Sequence, residues 1–167
     1  MKKLRIILPI LMLVALLAGC SLPNQSGSKV SFYYGRNEFS FGTANSVIVS
    51  EKRDIAGHEG ELQYILSLYL MGPLDEELTA TFPTNTRIVR YTQGDRHLTI
   101  ELTSLDDALT DSEFSLASSC LSMTCMELIH CSHVTLISGD RTITLQMSDL
   151  LLVDAPIPTE AQTEESQ

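Results

Sequence analysis

The stretch from Glu61 to Thr103 constrains the fold of this chain more than any other part of it. Its first apolar residues are spaced i, i+3, i+4 and i+7, which predicts an amphipathic helix whose buried face is formed by Leu62, Ile65, Leu66 and Tyr69. Gly72-Pro73 ends this helix, because glycine tolerates the reversed backbone of a helix C-terminus and proline cannot continue a helix. Beyond a corner at Phe82-Pro83, two β-rich runs flank the turn residues Gly94-Asp95 and predict a hairpin.

The rest of the chain adds one hairpin before this stretch, and a second helix and a third hairpin after it. Thr110 and Glu113 have the spacing of a capping box, which marks the start of the second helix. In chain order, the predicted elements are strands near Lys29–Tyr34 and Val47–Arg53, a helix over His58–Met71, strands near Arg87–Thr92 and His97–Thr103, a helix over Thr110–Ile129, and strands over Val134–Ile137 and Thr142–Met147. The order ββ-α-ββ-α-ββ predicts an α+β fold with a mainly antiparallel sheet and two helices on one of its faces.

Apolar periodicity also predicts which side chains face the core. In the later strands the inward residues alternate with polar ones, and they are Leu98, Ile100 and Leu102, then Ile143, Leu145 and Met147. The apolar residues of the second helix are too widely spaced for one narrow stripe; they are Phe114, Ala117, Leu121, Met123, Met126 and Leu128. We therefore expect this helix to be buried around much of its circumference.

The first nineteen residues have the pattern of an export signal. Lys2, Lys3 and Arg5 are followed by an uncharged run of thirteen residues, which is short for a permanent span of a ~30 Å hydrocarbon core but suits a signal peptide. The run ends in Leu17-Ala18-Gly19-Cys20, similar to a bacterial lipobox. We expect cleavage before Cys20 and attachment of lipid to it, with an ordinary secretory signal or an uncleaved anchor as the alternatives.

These features divide the chain into four parts. Residues 1–19 are the expected lipoprotein signal peptide, and residues 20–28 are a short tether rich in Ser. The folded domain is expected over residues 29–153. Residues 154–167 are polar and acidic and are expected to be disordered.

The chain is acidic, with 21 Asp and Glu residues against 11 Lys and Arg and a formal net charge of −10. Removal of residues 1–19 takes away three basic residues and no acidic ones, so the net charge becomes −13. This charge disfavours nucleic acid as a partner, because affinity for nucleic acid comes mainly from neutralising phosphates. It also disfavours peripheral binding to anionic lipid, so lipid on Cys20 is the expected attachment, at the outer face of the cytoplasmic membrane.

Three cysteines and two histidines lie close together in the sequence: Cys120, Cys125, His130, Cys131 and His133. Thiolate and imidazole are the natural ligands of zinc, and a Cys-His pair is one form of catalytic nucleophile. Along a helix, however, Cys120 and Cys125 point ~140° apart, so only the residues near its end could converge. We predict no metal site and no catalytic residue here, and at least one free thiol, since three cysteines remain beside Cys20.

The other polar and aromatic clusters also have structural explanations. Asp75-Glu76-Glu77 and Asp106-Asp107 could form acid–base pairs or a weak calcium site, but adjacent acids are mostly solvated turn residues. Four aromatic residues could line a ligand groove or pack in the core, namely Phe32, Tyr33, Tyr34 and Tyr64. The sequence has no P-loop, dinucleotide fingerprint, Gly-x-Ser-x-Gly elbow or zinc-protease motif, so it predicts neither an enzyme nor a cofactor.

Several short segments resemble the GerMN domain, a sporulation and spore-germination family. They are Val49-Ser50-Glu51-Lys52-Arg53-Asp54-Ile55, Leu70-Met71-Gly72-Pro73, Phe82-Pro83-Thr84-Asn85-Thr86, Thr99-Ile100-Glu101-Leu102-Thr103, Ser122-Met123-Thr124 and Val134-Thr135-Leu136-Ile137-Ser138-Gly139. Their order and spacing extend the resemblance over about residues 29–153.

The resemblance implies an envelope lipoprotein of a Gram-positive type of host, with a fold similar to ring-building domains. It implies a structural or adaptor role with another envelope protein as partner, in sporulation or germination for some members of the family. The family has no established catalytic residues to carry over. The alternative hypothesis is an envelope lipoprotein that senses a cell-wall fragment or a small solute in a closed pocket.

Overall fold

The computed structural model describes residues 28–37 and 47–150, which form an α+β fold with two sheets and three helices. The elements are β1 (Lys29–Arg36), β2 (Ile48–Asp54), α1 (Leu62–Leu70), β3 (Leu78–Thr79), β4 (Ile88–Gln93), β5 (His97–Leu102), α2 (Asp111–Ile129), β6 (His133–Ser138), β7 (Arg141–Gln146) and α3 (Met147–Leu150). The predicted fold class and the order ββ-α-ββ-α-ββ are confirmed. The short strand β3 and the short helix α3 are additions to that order.

The strands form two sheets, in the orders β2-β1-β3 and β4-β5-β6-β7. The three predicted hairpins are present, because β1 pairs with β2, β4 with β5 and β6 with β7, each antiparallel. The strands β5 and β6 are parallel neighbours. This follows from the connection between them, since the 19-residue helix α2 carries the chain back to the start of the sheet.

The helix α1 has the predicted buried face, since its buried residues are Leu62, Ile65, Leu66 and Tyr69. It begins four residues later than predicted, because turns occupy the preceding segment. In these turns His58 N donates to Ile55 O at 2.8 Å, and Glu61 N donates to His58 O at 3.0 Å. The predicted end of this helix at Gly72 is confirmed. Gly72 has a φ of +91° and donates its N–H to Tyr69 O at 3.0 Å.

The helix α2 begins with the predicted capping box and ends at the predicted residue. The Thr110 hydroxyl accepts from the backbone N–H of Glu113, and the Glu113 carboxylate accepts from the backbone N–H of Thr110 at 2.8 Å. The broad burial of α2 is also confirmed, and its buried residues are Phe114, Ala117, Ser118, Cys120, Leu121, Ser122, Thr124, Cys125 and Met126. The helix α2 packs against both β1 and β6. The small residues among its buried side chains allow this close contact on two sides.

A single apolar core joins both sheets with α1 and α2. The predicted inward residues Leu98, Ile100 and Leu102 are all buried. The prediction for the last hairpin is wrong at Met147, which is 46% exposed. The reason is that β7 ends at Gln146 and the chain turns into α3, so the alternation of the strand no longer applies.

The turn between β6 and β7 depends on Gly139, which has a φ of +58°. A Cβ atom at this position would overlap the carboxylate of Asp106, which accepts hydrogen bonds from Ser104 and Arg141. Replacement of Gly139 by alanine is therefore expected to lower the free energy of unfolding by about 3 kcal/mol, from left-handed backbone strain and overpacking together. Equilibrium unfolding in denaturant measures this loss.

Gly57→Ala is the matched control for this prediction. Gly57 also has a positive φ, +87°, but an added Cβ would lie in open space. Its replacement by alanine should cost about 1 kcal/mol, the backbone contribution alone. Equal losses in the two variants would contradict the proposed overlap with Asp106.

Candidate functional site

The end of α2 brings together part of the cysteine and histidine cluster found in the sequence. His130 ends the helix in the left-handed conformation, with a φ of 53°, and the chain then turns toward β6. His130, Cys131 and His133 line one surface hollow of about 400 Å³. We call this the His130 hollow; Arg96, Ser132 and Gln146 also line it. Cys120 and Cys125 do not line it, because they are buried within α2.

The three thiols lack the properties of a catalytic nucleophile. Cys120, Cys125 and Cys131 are all free. Burial raises the pKa of Cys120 from 9.0 to about 12. Burial, and next the neighbouring Cys131, raise the pKa of Cys125, while burial raises the pKa of Cys131 itself. A reactive cysteine needs a lowered pKa, whereas the pKa values of these thiols are raised, so they are expected to stay protonated at neutral pH.

Alkylation of the full-length protein tests the burial of these thiols. We expect iodoacetamide to label Cys131 slowly in the folded protein, whereas Cys120 and Cys125 should react only after denaturation. Mass mapping of the peptides identifies each modified cysteine separately. Rapid labelling of Cys120 or Cys125 in the folded state would contradict their burial inside α2.

The His130 hollow does not have the geometry of a metal centre. In residues 28–37 and 47–150, no group of three or more His, Cys, Asp or Glu side chains is arranged to hold a metal ion. The hollow instead offers hydrogen-bond donors. His97 lies next to it, with its ring centroid 6.2 Å from that of His133, and its Nε2 is 2.8 Å from the hydroxyl of Thr135.

The acidic runs organise turns. Asp75 accepts from the backbone N–H of Glu77 at 2.9 Å, and its own N–H donates to the carboxylate of Glu51 at 2.9 Å. Asp106 accepts from the Ser104 hydroxyl at 2.7 Å, and this bond is the main cause that holds the pKa of Asp106 below its usual range. These bonds explain Asp75 and Asp106 as structural residues, as the sequence interpretation favoured.

The four aromatic residues do not form one ligand groove. Phe32 and Tyr34 are buried in the core, where Tyr34 stacks on Tyr69 with 4.9 Å between ring centroids. The crevice beside this stack is too small to hold a water molecule. Tyr64 instead stacks on His58 at the surface. The core-packing explanation is therefore correct for Phe32 and Tyr34, and this group of residues does not supply the closed aromatic pocket of the ligand-binding alternative.

A polar contact between β1 and α2 was missed by the sequence analysis. Glu127 accepts from the hydroxyls of Ser31 at 2.6 Å and Tyr33 at 2.7 Å. The bond from Ser31 is the main cause of the lowered pKa of Glu127, whereas burial, followed by Glu127, raises the pKa of Tyr33 to about 12. Thr124 adds a further contact, since its hydroxyl accepts from Tyr33 N at 3.0 Å. The signal in the sequence was Glu127 itself, the one charged residue of α2 beyond its first turn.

The edge strand β4 carries two exposed apolar side chains. Val89 is 56% exposed and Tyr91 is 37% exposed on this strand, which has a β-bulge between Ile88 and Arg90. A hollow of about 350 Å³ separates β4 from α1, and Met71, which is 81% exposed, lines it. We call this region, Val89, Tyr91 and Met71, the β4 surface. An edge strand with accessible backbone groups is a template for pairing with another chain.

None of the helices within residues 28–37 and 47–150 is long and apolar enough to cross a membrane. The lipobox residues Leu17, Ala18, Gly19 and Cys20 lie outside the described residues, as do residues 20–27 of the tether and the acidic tail over residues 154–167. Those parts of the domain division remain predictions from the sequence.

Comparison with known proteins finds no matching family model and no matching curated protein. Among solved structures, a candidate lipoprotein from Clostridium perfringens has a TM-score of 0.45 and 13% identity, over 74% of this chain and 89% of that one. The tandem GerMN domains of the sporulation protein GerM from Bacillus subtilis have a TM-score of 0.45 and 18% identity, over 68% of this chain and 39% of that one. The latter belong to the family that the sequence resembles, and the present chain spans less than half of their length. At these values the likeness assigns no function.

Proposed function

We propose that this protein is a membrane-anchored extracytoplasmic lipoprotein that acts as a non-catalytic adaptor module in the cell envelope. The lipobox-like sequence Leu17-Ala18-Gly19-Cys20 supports the anchor, because it follows a positive start and a short apolar run. The raised pKa values of the thiols support a non-catalytic role. The narrower form of the proposal, a role in sporulation or germination, rests on the GerMN-like segments of the sequence.

The β4 surface is the observation that carries the adaptor role. Edge strands of soluble proteins are commonly protected by charge, proline or a covering element, because unpaired strand edges associate with other chains. Here Val89 and Tyr91 place exposed apolar side chains on an edge strand, and the exposed Met71 lines a hollow that reaches the same strand at Ile88. A partner that adds a strand to β4 would gain backbone hydrogen bonds from the edge and specificity from these side chains.

Membrane fractionation tests the anchor. Cys20→Ala is expected to move the protein from the membrane to the soluble or secreted fraction, because it removes the proposed site of covalent lipid attachment. Cys131→Ala is the matched control: it also removes a thiol, but from the folded domain, and should remain in the membrane fraction. A Cys20→Ala protein that stays with membranes after a high-salt wash would contradict the anchor.

A further inference from the structure

The His130 hollow differs in charge from the rest of the chain. The chain has 21 Asp and Glu residues against 11 Lys and Arg, yet the residues that line this hollow include Arg96, His130 and His133 and no carboxylate. His97 lies next to His133, so three of the four histidines of the chain lie in or beside this hollow. The hollow is therefore a local concentration of groups that donate hydrogen bonds and can carry positive charge.

Hydrogen bonds hold Arg96 in place at this hollow. Its carbonyl accepts from the N–H groups of Ser132 at 2.8 Å and His133 at 3.2 Å, which ties the β4–β5 turn to the start of β6. Its Nε donates to the Ser132 hydroxyl at 2.7 Å. The structure records no bond from the two Nη groups of Arg96 within the described residues, so they are available to a ligand. A guanidinium fixed in this way suits the planar, two-point binding of an oxyanion.

Two carboxylates on the elements that border the hollow, Asp149 and Glu127, are hydrogen-bonded within the protein. Asp149 accepts from the backbone N–H of Gln146 at 3.0 Å and from its side chain at 3.4 Å. The carboxylate of Glu127, whose pKa is lowered in small part by His130, accepts hydrogen bonds from the hydroxyls of Ser31 and Tyr33. Asp95 precedes Arg96 in the turn.

The thiol that lines the hollow also adds no negative charge. Burial raises the pKa of Cys131, so its side chain is a neutral thiol at neutral pH. An anion in the hollow would therefore meet donors from Arg96 and the histidines, while Asp149 and Glu127 are already hydrogen-bonded within the protein.

We propose that the His130 hollow binds the phosphate group of an anionic ligand, with Arg96 as its fixed cationic donor and His130 and His133 as further donors. Two sources have this chemistry: a phospholipid headgroup at the membrane, or a free phosphate or phosphate ester. The site does not depend on the proposed adaptor role.

Calorimetric titration of the full-length protein in a non-ionic detergent tests the site. The probes are inorganic phosphate and glycerol phosphate, at pH 5.5 and constant ionic strength. We expect Arg96→Gln and His133→Gln each to weaken binding about tenfold at pH 5.5, since each removes a charge-assisted hydrogen bond. His58→Gln is the matched control, because His58 stacks on Tyr64 and pairs with Glu61 away from the hollow.

Sedimentation with vesicles distinguishes the two sources of phosphate. The Cys20→Ala protein, which lacks the proposed lipid, is mixed with vesicles of phosphatidylglycerol or of phosphatidylcholine. Binding to phosphatidylglycerol alone, lost in Arg96→Gln, identifies a headgroup; binding of the soluble phosphates without vesicle binding identifies a free ligand. The proposal is overturned if no probe binds or if His58→Gln weakens binding as much as Arg96→Gln. Circular dichroism of each variant confirms that it is folded.

Discussion

Arg53→Met is expected to lower the free energy of unfolding by about 3–5 kcal/mol, because it leaves the partner of a buried ion pair without its counter-charge. Arg53 is 7% exposed, pairs with the Glu51 carboxylate and donates to Gly72 O at 2.7 Å. Its guanidinium also lies 5.8 Å from the centroid of the Phe32 ring. The loss of Arg53 therefore affects the first sheet, the end of α1 and the aromatic core together. Denaturant unfolding of the purified protein measures the change.

Two variants separate the buried pair from a general effect of losing an arginine. Arg90→Met removes an exposed arginine that pairs with Glu101, and it should cost at most about 1 kcal/mol. The double variant Glu51→Met with Arg53→Met should be more stable than Arg53→Met alone, since no unpaired charge remains. A loss in Arg53→Met no larger than that in Arg90→Met would contradict this account of the pair.

The same pair predicts a dependence of stability on pH. Burial raises the pKa of Glu51, but hydrogen bonds from Arg53 and from the N–H groups of Asp75 and Leu74 outweigh it and hold the pKa below its ordinary 4.5. A lowered pKa in the folded state means that this stabilisation is fully present above pH 4.5 and is lost as the pH falls through the lower, folded-state value. Acid unfolding should therefore be less steep in the double variant than in the unmodified protein.

Tyr69→Ala should cause a loss of similar size, about 3–5 kcal/mol, as expected when a large aromatic side chain is removed from a core. Its ring stacks on Tyr34 and meets Phe32 and Phe82 edge-on, with centroid distances of 5.7 Å and 6.4 Å. Its hydroxyl donates to Tyr33 O at 3.0 Å, which links α1 to β1. Thermal or denaturant unfolding gives the difference in stability.

Tyr69→Phe isolates the hydroxyl from the ring. It keeps the aromatic packing and removes the hydroxyl contacts with Tyr33 O and with the Thr81 hydroxyl, so the expected loss is about 1–2 kcal/mol. Tyr64→Ala removes a tyrosine from the exposed face of the same helix, where Tyr64 is 41% exposed, and should cost less than Tyr69→Ala. If Tyr69→Ala cost no more than Tyr64→Ala, the aromatic cluster would not be the centre of the core.

The sequence predicted the features of the fold that depend on local chemistry. The buried stripe of α1 follows from helical periodicity, and the start of α2 follows from the reciprocal bonds of Thr110 and Glu113. The division into two sheets was not predicted. It depends on pairing between distant segments, and β3, with two residues, is too short to produce an alternating pattern.

The candidate site could be predicted only where neighbours in sequence are also neighbours in space. His130, Cys131 and His133 meet because α2 ends at His130 and the chain turns there. Arg96 joins them from a turn more than thirty residues earlier, through a parallel strand pairing that no local pattern indicates. The burial of Arg53 was equally difficult to predict, because the alternation of side chains along a strand does not reveal which of its two faces is buried.

Crosslinking from the β4 surface in living cells tests the adaptor role most directly. A photoreactive amino acid is placed at Val89, on the exposed edge, and at Asp54, an exposed position on β2, as the matched control. Growing and sporulating cells are both irradiated, and the adducts are identified by mass spectrometry. We expect position 89, but not position 54, to give a reproducible adduct with one envelope protein, and a Val89→Lys variant to lose that protein in pull-downs. An adduct restricted to sporulating cells would support the narrower role, whereas equal labelling at both positions, or none at position 89, would contradict docking through β4.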